Sequence, residues 1–242
     1  MAETDPSDSP LTAKAQSCTA RVSRIEHEGR AYWVKRQEKL SLRFRLQKGA
    51  ADSAFERERT ALHDLARAGA PVPEIVAEGP AFFVIPDLGP SLDAILRGQT
   101  DMDSAQRQRA FVDGAKALAG LHAQNLSHGR PSLKDICWDN GRVTFIDFEN
   151  YDPRRNTLRG HGRDVVMFFF NGLAVAGRPT PELEIARDTY RAHDPGGVWE
   201  AAQSLARRLR WTNWLTKPIQ MRREGKAKEF KAIPLTLAWF AE

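Results

Sequence analysis

The order of predicted elements gives an α+β chain in two parts, a strand-rich N-terminal third carrying one helix and a mainly helical remainder. Up to residue 85, short runs of β-type apolar residues are interrupted by one amphipathic segment at 54–68. The break Pro86-Asp87-Leu88-Gly89-Pro90 ends that pattern. Beyond it the apolar positions fall at helical spacing, most clearly at Phe111, Ala115, Leu118 and Leu121.

Each element has its own signal. Residues 21–28 read as a strand, Glu28-Gly29-Arg30 as a turn and 31–36 (AYWVKR) as a second strand. Residues 39–50 are basic and non-periodic, which predicts a loop. In 54–68, Phe55, Leu62 and Leu65 form one apolar stripe of a helix, Gly69 stops it, and Pro71-Val72-Pro73 leads out. Residues 74–78 and 81–85 read as strands around Gly79-Pro80. Ser91 caps a short helix, and 103–124 is a long one. Residues 136–138 and 143–148 flank Asp139-Asn140-Gly141-Arg142, a strong hairpin turn. Helices follow at 164–176 and 181–192, then a Pro-Gly-Gly break and a basic helix over 198–215.

Bulk composition bounds the function. With 41% hydrophobic and 28% charged residues in 242, a sizeable core is expected and global disorder is excluded. The longest apolar stretches, such as 165–170, fall far short of the roughly 20 residues of a membrane span. Residues 1–11 are acidic with proline and serine, unlike a secretion signal, so a disordered leader is expected over 1–17. Cys18 and Cys137 form no CxxC pair, which argues against a zinc or disulfide framework and for a reduced, cytoplasmic compartment. The net charge of +5 is unevenly spread, with nine Lys/Arg against two Glu over 207–231.

The chemistry-bearing residues come in a fixed order. They are Lys35 in Tyr32-Trp33-Val34-Lys35, then Glu58 four residues before Leu62, the break at 86–89, and Leu121-His122. Leu126-Ser127-His128-Gly129 and Thr144-Phe145-Ile146-Asp147-Phe148-Glu149 complete the series. Taken together they resemble the protein-kinase-like superfamily, and most of all the small bacterial lipopolysaccharide kinases of Kdo and heptose type, over about 21–176.

That resemblance implies a two-lobed fold with an N-lobe at 18–86 and a C-lobe at 87–242. It implies ATP and Mg²⁺ as cofactors and a hydroxyl acceptor such as a lipid-linked sugar. Lys35 would take the α and β phosphates, paired by Glu58 with Glu56 as the competitor. Ile85, Asp87 and Leu88 would lie at the adenine hinge. Asp147 matches the magnesium carboxylate, a hard oxygen ligand suited to that ion. His128 reads as a structural support of the loop. Asp164 reads either as a buried brace of that loop or as an ordinary helix-start acid favoured by the dipole.

The sequence departs from the family at the loop itself. His-Gly-Asp-x-x-x-x-Asn is expected, and His128-Gly129-Arg130-Pro131-Ser132-Leu133-Lys134-Asp135 stands there. Arg130 occupies the base position and Asp135 that of the second metal ligand, where a carboxylate serves as well as an amide. No glycine-rich loop precedes Lys35, Gly29 being too late to cover phosphates. An active kinase using Arg130 as a phosphate clamp and Asp135 as the nearby acid, and a nucleotide-binding scaffold without turnover, both fit. For 207–231 three readings stand: a core-packed helix with a solvated basic face, attachment to an anionic membrane surface at the inner leaflet, or nucleic-acid phosphate binding. No recognition module supports the third, so nucleic acid is not expected as a partner.

Overall fold

The computed structural model describes residues 9–37, 48–221 and 228–241. They form two compact units. The first comprises the described residues within Met1–Leu88 together with Asp147–Glu149, and the second those within Gly89–Ile146 and Asn150–Glu242.

The first unit is an antiparallel sheet of order β1-β2-β4-β3, with β1 Val22–His27, β2 Arg30–Arg36, β3 Ala77–Gly79 and β4 Phe82–Pro86. Glu28 and Gly29 both take positive φ (49° and 73°), the two-residue turn whose twist matches a hairpin. Alternation along β2 splits the sheet into two faces. Val34 and Val84, paired in register, join Ile25 and Phe82 on one face beneath Leu11 and Ala15 of α1 (Pro10–Ser17). Lys35 and its partner Phe83 lie on the other face, where Phe83 stacks on Phe55 of α2 (Lys48–Arg67) at 5.4 Å.

Two expectations are corrected here. The leader expected over 1–17 is helical from Pro10. Ser9 accepts a hydrogen bond from the Thr12 N–H and Pro10 begins the helix, a start signature that the acidic Ser/Pro composition hid. The reading of residues 1–8 lies outside the described residues. Helix α2 begins at Lys48, six residues before the apolar stripe at 54–68, through the alanine-rich stretch containing Ala50 and Ala51. Of the loop expected at 39–50, residues 39–47 lie outside the described residues and 48–50 are helical.

The second unit opens with α3 (Leu92–Leu96), capped by Ser91, and α4 (Ser104–Ala123), which starts in a reciprocal capping box between Asp103 and Gln106. The hairpin of β5 (Ile136–Asp139) and β6 (Arg142–Phe145) turns at Asn140-Gly141, both at positive φ. Helices α5 (Leu158–Ala176), α6 (Pro181–Ala192) and α7 (Val198–Arg208) follow. Helix α5 packs on α7 and on α9 (Lys228–Trp239), and α4 packs on α6. Phe169, Trp199, Trp239 and Phe240 meet in one buried aromatic group, where truncating a ring to alanine costs roughly 3–5 kcal/mol.

Two boundaries differ from the sequence expectation. The basic helix expected over 198–215 is broken at Leu209, and α8 (Arg210–Gln220) is a separate element. Helix α5 starts at Leu158 behind its N-cap Thr157, six residues before the expected 164. Gly160 and Gly162 in the first turns of α5 are there for close approach. A Cβ on Gly160 would lie 1.8 Å from the Arg155 carbonyl oxygen, and one on Gly162 2.9 Å from the Ala202 backbone of α7. No helix among the described residues is long and apolar enough to cross a membrane.

Candidate functional site

In the first unit, one face of the sheet and one stripe of α2 bring charges together. Phe55 and Glu58 are three residues apart, so the helix face that stacks on Phe83 also carries Glu58 to Lys35. The Lys35 ammonium donates to Glu58 Oε1 at 2.6 Å and lies 2.5 Å from Oε2. It also stands 3.8 Å from Asp147 Oδ1. The competitor Glu56 instead pairs with Arg59 at 2.6 Å on the outer side of the helix.

Exposure differs across this trio. The Glu58 side chain is 6% exposed, whereas Lys35 and Asp147 keep 22% and 25%. Burial pushes the Glu58 carboxyl above its ordinary 4.5, Lys35 pulls it back, and the Asp147 and Glu149 carboxylates add to the upward push. The pair is therefore worth less than its short distance suggests, because desolvation of Glu58 offsets much of the attraction. Asp147 has φ +64°, a left-handed conformation that non-glycine residues adopt at a cost and that clusters at functional positions.

At the break after β4, the Asp87 N–H donates to the Ala31 carbonyl at 2.9 Å and Arg24 donates to its carboxylate at 3.5 Å. That N–H is spent on the sheet. Ile85 shares the sheet face of Lys35 and Phe83, since its register partner is Trp33, and both Ile85 and Leu88 are half-buried.

In the second unit the loop of 127–135 is held by its backbone. Asp164 Oδ2 accepts from the His128 N–H at 2.6 Å and Oδ1 from the Gly129 N–H at 3.1 Å. Asp164 lies in the second turn of α5, 1% exposed, so it is a buried brace and the helix-start reading is withdrawn. His128 Nε2 donates to the Ile146 carbonyl at 3.0 Å, fixing its tautomer, and its ring meets Phe145 edge-on. Gly129 has φ +94°, and a Cβ there would lie 2.5 Å from the Asn150 oxygen, so no other residue fits without movement.

Arg130 is exposed and forms no ion pair with another described residue of its unit. Asp135 is buried at the end of a 3-10 turn, Leu133–Asp135, and its carbonyl accepts from the Ile146 N–H at 2.9 Å, the residue just before Asp147.

Three supports escaped the sequence reading. Asn171 of α5 accepts from the Leu133 N–H at 2.9 Å and from the Ser132 hydroxyl at 3.2 Å. His122 Nδ1 shares a 2.6 Å hydrogen bond with the Tyr190 hydroxyl, and its ring stacks on His161 beside Asp164. Burial, and secondarily His122, lowers His161 to about 4, while burial pushes the Tyr190 phenol far up. A polar residue inside an apolar helical stripe was the available signal for Asn171.

Among the described residues no group of three or more His, Cys, Asp or Glu side chains is placed to hold a metal by itself. Magnesium does not require one, since it keeps several waters and takes one or two carboxylates plus phosphate oxygens. The donor set of the first unit fits a metal-bound triphosphate: an ammonium for phosphate oxygens and a half-exposed carboxylate beside it.

The pattern of the lipopolysaccharide kinase (Kdo/WaaP) family matches residues 9–168. An uncharacterized protein of Haemophilus influenzae is 32% identical over 200 residues, covering 83% of this chain and 82% of its own. A probable bifunctional tRNA threonylcarbamoyladenosine biosynthesis protein of Natronomonas pharaonis is 25% identical over 145 residues, 60% of this chain and only 26% of its own. The bifunctional kinase-methyltransferase WbdD superimposes with a TM-score of 0.46 at 16% identity, over 78% of this chain and 45% of its own. A divergent kinase lacking the glycine-rich loop, which regulates membrane ultrastructure of the Toxoplasma parasitophorous vacuole, gives 0.46 at 15%, over 82% and 83%.

Proposed function

This chain belongs to the lipopolysaccharide kinase (Kdo/WaaP) family, and we propose that it transfers the γ-phosphate of ATP to a hydroxyl of a lipid-borne sugar. The observation that carries the reading is the meeting of Lys35, Glu58 and Asp147 in one unit, a cation held by a buried carboxylate and facing a second, half-exposed one.

In this reading Glu58 orients the Lys35 ammonium, which neutralises phosphate oxygens. Asp147, with Asp135 as the second carboxylate that loop order nominates, is assigned to magnesium. Magnesium, when bound there, would supply charge neutralisation for the transferring phosphate. Ile85 and Leu88 supply apolar surface for the base, and Asp87 belongs to the same hinge. Arg130 contacts phosphate or acceptor, and Asp135 is the loop acid assigned to the acceptor proton. Phosphoryl transfer draws most of its catalysis from positioning and charge neutralisation, so an altered base position is compatible with turnover.

One observation favours a second reading. Arg130 places a positive side chain where the acceptor's base is expected, and general-base help is worth about 10²–10⁴-fold. A nucleotide-binding scaffold without turnover follows if that help is indispensable. Labelled γ-phosphate transfer to dephosphorylated lipopolysaccharide core separates the two. We expect a labelled lipid product that Lys35→Ala abolishes; nucleotide binding with no product from any sugar acceptor would favour the scaffold.

A further inference from the structure

Helix α8 is built inside out. Trp211, Trp214, Leu215 and Pro218 recur at the i, i+3, i+4, i+7 spacing of one helix face. Trp211 is 61% exposed, Trp214 80% and Leu215 58%, and Met221 just past the helix adds 79%. The half-buried face is mainly polar, with Ile219 its one apolar residue among the described ones. There Gln220 donates to Thr216 Oγ1 at 2.8 Å and to Asn213 Oδ1 at 3.2 Å, and the Thr216 hydroxyl donates back to the Thr212 carbonyl. No residue of α8 is buried. A helix folded for water alone puts its apolar stripe against the core, as α5 does with Val165, Phe168, Phe169 and Leu173. Two neighbouring tryptophans left in solvent form a patch that calls for a partner.

The charge around the patch selects that partner. Arg208, Arg210 and Lys217 on and beside α8 are exposed, as are Lys228 and Lys231 of α9. Over 207–231, Glu229 is the sole acid among the described residues. A second copy of the chain would bring these cations against themselves. A nucleic acid could stack on Trp211 and Trp214 but would leave the aliphatic Leu215, Pro218 and Met221 without a partner. A bilayer with anionic headgroups meets both demands, since tryptophan favours the interface, aliphatic groups enter the acyl boundary and basic residues meet the lipid phosphates.

We propose that α8 docks this protein on an anionic lipid surface, the helix lying in the headgroup plane with Trp211, Trp214 and Leu215 inserted. The proposal stands apart from the phosphotransfer reading, so Lys35→Ala binds vesicles as the parent does.

The test is cosedimentation of the full chain with phosphatidylcholine vesicles, with and without phosphatidylglycerol, at low and high salt, with tryptophan emission followed in parallel. Binding is expected only to the anionic vesicles, weaker in salt, with emission shifted to the blue. Trp211→Ser with Trp214→Ser should lose the shift and about tenfold or more in affinity. Lys217→Ala should lose about fivefold at low salt. These side chains are exposed, so melting midpoints should hold; if the double variant does not fold, Trp214→Ser alone carries the same expectation. Equal binding to neutral vesicles, or undiminished binding of the tryptophan variants, would overturn the proposal. So would failure to bind vesicles accompanied by self-association or nucleic-acid binding that the variants abolish.

Discussion

Lys35 and Arg130 are the two cations that the sequence sets closest to phosphate chemistry, and the molecule holds them in opposite ways. Lys35 is pinned by its side chain, between two Glu58 oxygens and 3.8 Å from Asp147. Arg130 has an exposed side chain on a backbone fixed from below, where Asp164 accepts from His128 and Gly129 and Asn171 accepts from Leu133. In the first region geometry resides in the charged side chains themselves. In the second it resides in the scaffold under them. A loop held through N–H groups and one close glycine keeps its shape whatever side chain residue 130 carries, so an arginine stands there without disturbing the fold.

That contrast can be broken most strongly at Arg130 itself. With Arg130 assigned to phosphate or acceptor and Asp135 to the proton, Arg130→Asp should lower transfer, with stability unchanged within about 0.5 kcal/mol because the side chain is exposed. A rise of about 10²–10⁴-fold would mean instead that only the proton acceptor is missing. Next in size, Asp164→Ala strands two buried N–H groups, each worth about 1–3 kcal/mol, so urea unfolding should show a loss of about 3 kcal/mol or more. A small loss would place the support of the loop elsewhere.

The smallest expected effect is a pH dependence of stability. Unfolded His161 takes a proton near 6.5, whereas burial holds the folded group down to about 4. The unfolded chain therefore binds more protons inside that window, and folding stability drops as pH falls from 6.5 towards 4. His161→Phe keeps an aromatic ring beside His122 without the titration, and thermal melts should show a flatter acid limb. An unaltered limb would assign the acid sensitivity to other groups.

Much of this was legible because strands and caps announce themselves locally. Lys35 and Glu58 follow from the order of kinase-like motifs, with Glu56 left open as competitor, and the hairpin follows from Asn140-Gly141. What could not be read depends on contacts distant in sequence. Gly160 and Gly162 show their role only when the Arg155 carbonyl and the α7 backbone are set against them. Ser9-Pro10 looks like disorder until Leu11 and Ala15 find Val34 and Val84. Choosing Glu58 over Glu56 needed the phase of α2 against the sheet, and Asn171 and Tyr190 act across 38 and 68 residues.

The central claim is that Asp147 holds a metal ion beside the phosphates that Lys35 neutralises. Nucleotide titrations of the parent and of Asp147→Asn, with and without magnesium, test it most directly. Asparagine tolerates the left-handed backbone, so the fold should be retained. The parent should bind ATP more tightly with magnesium, and at a hundredfold excess over Kd gain about 2.7 kcal/mol of stability; the variant should lose that magnesium-dependent gain. The same magnesium dependence in both proteins would contradict the account.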